Sequence, residues 1–182
     1  MMNNCVFNPF QAIGDADGEI DPLVRSQLLE QAISALSAPD TVHTAETHYA
    51  LGYAWYLHPQ ETQTRNSKVT WHLQKSLEID PGHRFARLYL GHYYYDRRRF
   101  ADALAALSSL KDDEFSALGQ VWRDAKVAEL LLCCMLQLGD RSRIQETVFR
   151  FCDSLTKCED GMHANPDELT ATLVEKLTGA TG

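Results

Sequence analysis

Apolar residues recur along this chain at intervals of three and four, the spacing that gathers them on one face of an α-helix. Leu28, Ala32 and Leu36 follow Asp21 and Pro22, a capping side chain and a residue suited to the first turn, which predicts a helix over 22–37. A second is predicted from Asp40 or Thr41 through Tyr49, Leu51, Tyr53, Trp55 and Tyr56 to His58, where Pro59 ends it. After a polar loop over 60–65, Asn66 or Ser67 is read as the cap of a helix whose apolar face is Val69, Leu73, Ser76 and Leu77. Asp80, Pro81 and Gly82 terminate that helix. Further helices are predicted over 83–96, 99–110, 116–138, 141–157 and 166–178. Residues 1–20 show no sustained period and are read as an irregular tail. Apart from short apolar runs, no stretch alternates with the period of two that a half-buried strand demands, so the prediction is an all-α chain of antiparallel helices.

Self-similarity sharpens that picture. Residues 80–107 contain Asp80-Pro81-Gly82, Leu90-Gly91, Tyr94, Phe100, Ala103 and Leu107. The preceding segment repeats the theme with His48, Leu51-Gly52, Trp55, Val69, Leu73, Leu77 and Asp80-Pro81, and a looser copy has Ala128, Leu131, Met135, Gly139-Asp140, Ile144, Val148 and Phe151. This series resembles the tetratricopeptide repeat, whose pattern is W-x2-L-G-x2-Y, then A-x3-F and a closing proline. Arg87 stands where the first aromatic is expected, Leu107 replaces the later Phe, and the third copy lacks the Leu-Gly pair. Leu51 and Leu90 are 39 residues apart, five beyond the usual ~34, and the surplus is assigned to the 60–65 loop. The resemblance implies a right-handed superhelical stack of antiparallel helix pairs, one domain over 21–179 with repeats near 45–81, 82–115 and 125–158. The helices at 22–37 and 166–178 would then cap the stack. Gly91 and Ala103 are expected to let two helices approach closely, with Tyr94 and Phe100 filling the space around the contact.

In that family the ligand groove is lined by the first helix of each repeat, between its core positions. Carried over, this implies Tyr49, Tyr53 and Tyr56, then Phe85, Leu88, His92 and Tyr95, then Glu129 and Cys133, while Leu51, Trp55, Leu90 and Tyr94 are core. Aromatic side chains offer large contact area at low entropic cost, which suits a peptide or helix as ligand. Packing by the N-terminal helix or tail is the competing use of these rings. The Lys and Asn set with which some relatives clamp the carboxylate tail of heat-shock chaperones is missing, since Tyr49, Tyr53, Leu88 and His92 occupy those places.

Charge narrows the partners. The 182 residues carry a net charge of −8, which opposes attachment to nucleic acid or anionic membrane, both being polyanions. Residues 83–100 run the other way: Arg84, Arg87, Arg97, Arg98 and Arg99 against Asp96 leave −12 for the remainder. That basic patch is read either as a solvated turn or as a receiver for an acidic partner segment through bidentate arginine contacts. No apolar run approaches the ~20 residues of a membrane span, and no Lys or Arg precedes Arg25, so a cytoplasmic protein without a secretory signal is expected.

Little catalytic chemistry is legible. Cysteines 5, 133, 134, 152 and 158 form no C-x-x-C pair and are read as reduced, with Cys152 placed in the core behind Val148 and Phe149. Residues 15–21 resemble part of a calcium loop, but Ile13 and Val24 stand at its first and last ligand positions. His43 and His48 would diverge on a helix by roughly 140°. No G-x-S-x-G, phosphate-binding glycine loop or H-E-x-x-H is present. The reading is a non-catalytic protein or peptide binder without cofactor or metal. The alternatives are a dedicated one-partner protein, either secretion chaperone or immunity protein, and a small helical enzyme without a recognisable motif.

Overall fold

Helix starts in this chain are made by short side chains whose oxygens accept from backbone N–H groups left over in the first turn. Asn8 Oδ1 accepts from Phe10 N at 3.0 Å and from Gln11 N at 3.3 Å, with Pro9 in the first position, and opens α1 (Pro9–Gly18). Asp21 and Pro22 open α2 (Pro22–Leu36) in the same way. Thr44 caps α3 (Ala45–Leu57) and Thr62 caps α4 (Gln63–Ile79), each accepting at 3.1 Å from the N–H three residues on. The remaining helices are α5 (Arg84–Asp96), α6 (Phe100–Leu107), α7 (Val121–Leu138) and α8 (Ile144–Lys157), with a single 3-10 turn at Ser116–Leu118. This computed structural model describes residues 7–158, and every regular element among them is helical. The helix expected over 166–178 lies outside the described residues.

The all-α class is therefore observed, with corrections of detail. Most of the segment read as an irregular tail is α1, which buries Ala12, Ile13 and Ala16. Two alanines and one isoleucine leave too faint a periodic signal to register, although Asn8-Pro9 repeats the start signal of Asp21-Pro22. α4 begins inside the supposed 60–65 loop, because Thr62 rather than Asn66 or Ser67 is its cap. α3 starts at Ala45, so His43 is not helical, and its ring stacks on His48 at 5.4 Å instead of diverging from it. Cys152 is exposed, not core. The buried face of α8 is Thr147, Phe151 and Ser154, and Phe149 itself is exposed.

Contacts fall into two compact units, Met1–Leu90 and Gly91–Gly182, with the division inside α5, where the sequence reading places one domain. In the first unit α1 pairs with α2 and α3 with α4, and both members of the first pair also touch α3. Gly52 permits the α3–α4 approach: a Cβ there would lie 2.7 Å from the Leu73 side chain. In the second unit α7 pairs with α8 and packs against α6, and a Cβ on Gly91 would lie 2.5 Å from the Leu107 side chain. Ala103 is fully buried beside this contact, so the predicted close approach is found, with Leu107 as the group that fills the glycine's notch. Leu73 and Leu107 are 34 residues apart and Gly52 and Gly91 are 39 apart, which places the five-residue surplus between α3 and α4.

The long connector after α6 is held by a side chain that the sequence pattern does not single out. Asp124, in the first turn of α7 and fully buried, accepts from Phe115 N at 3.1 Å, Ser116 N at 2.8 Å and Ser116 Oγ at 2.7 Å. Phe115 is fully buried beside it. A buried carboxylate is stable only when its oxygens are satisfied in this manner.

Candidate functional site

Tyr49, Tyr53 and Tyr56 stand four and three residues apart on α3, which aligns them on one face. Their rings run as a ladder: Tyr49 to Tyr53 is 5.9 Å at 9° between planes, and Tyr53 to Tyr56 is 6.4 Å at 19°. The first half of α5 closes against this ladder. Tyr89 meets Tyr53 at 4.0 Å, and Phe85 meets Tyr49 at 5.8 Å. Pairs of this kind each add about 0.5–1.5 kcal/mol beyond the area they bury. Tyr53 and Tyr89 are buried, while Tyr49, Tyr56 and Phe85 keep part of their surface open. Leu88, expected to line the groove, is instead 1% exposed and belongs to the core. Its neighbour Tyr89 takes the place facing Tyr53, a substitution of one position that the repeat pattern does not reveal.

A hydrogen-bond chain links three helices here. Tyr89 Oη donates to Tyr53 Oη at 3.1 Å, and Tyr53 in turn bonds to the Asp17 carboxylate on α1. Burial, then Tyr89 and Asp17, hold the Tyr53 phenol far above its ordinary pKa, so it remains a protonated donor. Asp17 is exposed, and sequence reasoning missed it because its segment was read as tail. At the end of the row His83 Nε2 lies 3.0 Å from Glu46 Oε2, and its ring packs 4.9 Å from Tyr49.

No family model matches the chain, and no curated protein or solved structure does.

In the second unit His92 and Tyr95, both half-buried, face α7. Burial, with Lys126 and Arg123 adding to it, pushes His92 down to about 4. Burial and a hydrogen bond with Cys133 raise the Tyr95 phenol. Cys133 and Glu129, the α7 positions implied by the repeat resemblance, thus do lie beside Tyr95. Lys126 and Glu129 pair at 2.8 Å.

The five arginines stand at the two ends of α5. Arg84 opens the helix, and Arg87 Nη2 donates to the Pro81 carbonyl. Arg97 lies 4.9 Å over Tyr93; Arg99 lies 4.4 Å over Tyr94 and bonds Asp102 at 2.7 Å. Arg98 is exposed in the turn to α6, with a φ of 58°. Two of the five guanidiniums are thus spent on tyrosine faces, and one of these also on a carboxylate.

Elsewhere the chemistry is structural. His48 Nδ1 and His72 Nδ1 meet at 3.2 Å between α3 and α4, with Trp71 edge-on to both rings. Among the described residues no group of three or more His, Cys, Asp or Glu is placed to hold a metal ion, and no helix is long and apolar enough to cross a membrane. A cavity of about 310 Å³ opens among α6, α7, α8 and the connector. Its two lining arginines are each paired with a lining carboxylate: Arg150 with Asp112 at 2.9 Å and Arg143 with Glu146 at 2.9 Å.

Proposed function

We propose that this protein is a non-catalytic binding protein of the tetratricopeptide type, which captures a protein or peptide segment on the tyrosine face of its first unit. The observation that carries this reading is the ladder of Tyr49, Tyr53 and Tyr56 closed by Phe85 and Tyr89. It is a continuous aromatic surface whose inner rings are fixed by packing and whose outer rings reach solvent. Rigid aromatic anchors surrounded by partly open rings are what a binding hot spot requires, because little entropy is lost when they are covered. The tetratricopeptide reading is supported by the paired helices and by the Gly52–Leu73 and Gly91–Leu107 contacts, whose leucines stand 34 residues apart.

The test is selection from a displayed library of random dodecapeptides on the full chain. Enriched peptides are then measured against a Tyr49→Ala, Tyr56→Ala double variant. Both positions are half-buried, so helicity by circular dichroism should persist while affinity falls at least tenfold. Unchanged affinity would place the binding face elsewhere.

A further inference from the structure

We propose that the cavity of the second unit binds a small organic cation, an ammonium or guanidinium group carried on a short hydrocarbon body. This site stands independently of the tyrosine face. At about 310 Å³ the cavity has the size of a small-ligand site, and its walls have the mixed character such sites require. Leu131 and Met135 of α7 and Leu104 of α6 supply apolar surface, with the flexible thioether able to adjust to the shape of a chain. Ser154 of α8 lines the same cavity and is 3% exposed, yet its hydroxyl has no hydrogen-bond partner among the described residues. Thr147, two turns earlier on the same helix, is also buried, but its hydroxyl donates to the Arg143 carbonyl at 2.9 Å. A buried hydroxyl left unpaired is costly, and a ligand N–H donated to Ser154 Oγ removes that cost.

The charge of the lining selects the sign of the ligand. Asp112, Asp113, Asp140, Glu146 and Asp153 line the cavity against Arg143 and Arg150. Both arginines are already held, Arg150 by Asp112 and Arg143 by Glu146. Lys157, at the end of α8, pairs with Asp113 at 3.1 Å and with Asp153 at 2.7 Å. Three cations thus meet five carboxylates, and Asp140 accepts from the Ser142 N–H at 2.9 Å but pairs with no cation among the described residues. An anion would find a surplus of its own charge. A cation gains from the unmatched carboxylates while its hydrocarbon covers the apolar wall.

Methyl resonances of Leu131 and Met135, followed by nuclear magnetic resonance on the full chain at constant ionic strength, test this with three probes of one length: hexylammonium, hexanol and hexanoate. Hexylammonium should shift both residues saturably and bind more tightly than hexanol, with hexanoate weakest. Asp140→Asn, which removes the unmatched charge, should weaken hexylammonium about threefold and leave hexanol unaffected. Ser154→Ala should weaken hexylammonium about fivefold through the lost hydrogen bond. Hexylammonium binding no tighter than hexanol, no saturable shift at Leu131 and Met135, or unchanged affinity in both variants overturns the proposal. A capped pentapeptide with a central lysine tells a free cation from a protein side chain: tighter binding of the peptide than of hexylammonium overturns the small molecule as the ligand.

Discussion

Acid should loosen the α3–α4 pair through His72. The two Nδ1 atoms of His48 and His72 are 3.2 Å apart, so one must donate and the other accept, and both rings cannot carry a second proton there. Both residues are buried, and the nearby charges are mostly cationic: His48, Lys68 and His43 depress His72, and His43 and Lys75 depress His48, against Glu78 alone. Burial is the larger cause in each case, and His72 is pushed down to about 4 from an ordinary 6.5. The unfolded chain therefore takes up this proton first as pH falls. Stability contributed by neutral His72 is complete above pH 6.5, declines below it and is gone once pH passes about 4. The gap corresponds to about 3 kcal/mol, a large part of a typical domain's stability. Titration of the His72 ring by nuclear magnetic resonance, with urea unfolding at pH 7 and 4.5, measures both quantities. His72→Asn keeps a polar group near Nδ1 and cannot titrate; it should cost about 1 kcal/mol at pH 7 through a poorer hydrogen bond. At pH 4.5 it should be the more stable of the two proteins. A constant offset between them at both pH values, or a His72 pKa near 6.5, would refute the reasoning.

Other substitutions test the packing. Asp124→Ala strands the Phe115 and Ser116 N–H groups and should cost about 3 kcal/mol in urea unfolding, with the connector losing amide protection from hydrogen exchange. Gly52→Ala drives a methyl into Leu73 and should destabilise by about 1–3 kcal/mol. Gly14→Ala, where nothing lies within 4 Å of the new carbon, should instead stabilise by roughly 0.5–1 kcal/mol. A matching sign for the two glycines in thermal unfolding contradicts the close approach at Gly52. Tyr89→Phe removes the donor to Tyr53 and should cost about 1 kcal/mol while leaving the ring stacking intact.

What the sequence discloses depends on whether a residue's partner lies within its own helix. The helical class, Pro22 as a helix start, Pro59 beyond the end of α3 and the notch at Gly91 all follow from spacing or backbone chemistry, and the structure contains them. Tyr53 was legible as a site residue because its companions Tyr49 and Tyr56 lie on the same helix. Asp17, Tyr89 and Asp124 were not, since each is defined by a partner on another segment. Leu88 shows the remaining error: a groove position carried over from the repeat pattern was wrong by one residue, and one residue is a rotation of about 100° on a helix. The arginine cluster divides for a related reason. Adjacent in sequence, Arg97 to Arg99 look like one surface, yet Tyr93 and Tyr94 draw two of them down onto ring faces.

The division inside α5 governs how this chain can be cut. A fragment ending at Leu90 would stop partway along a helix, exposing carbonyls that the next turn now satisfies, and its complement would begin with amides equally bereft. Neither half would possess a natural terminus. Truncations intended to isolate the tyrosine face should therefore retain the whole of Arg84–Asp96 and end in the turn that follows it, where the backbone already leaves its helical path at Arg98.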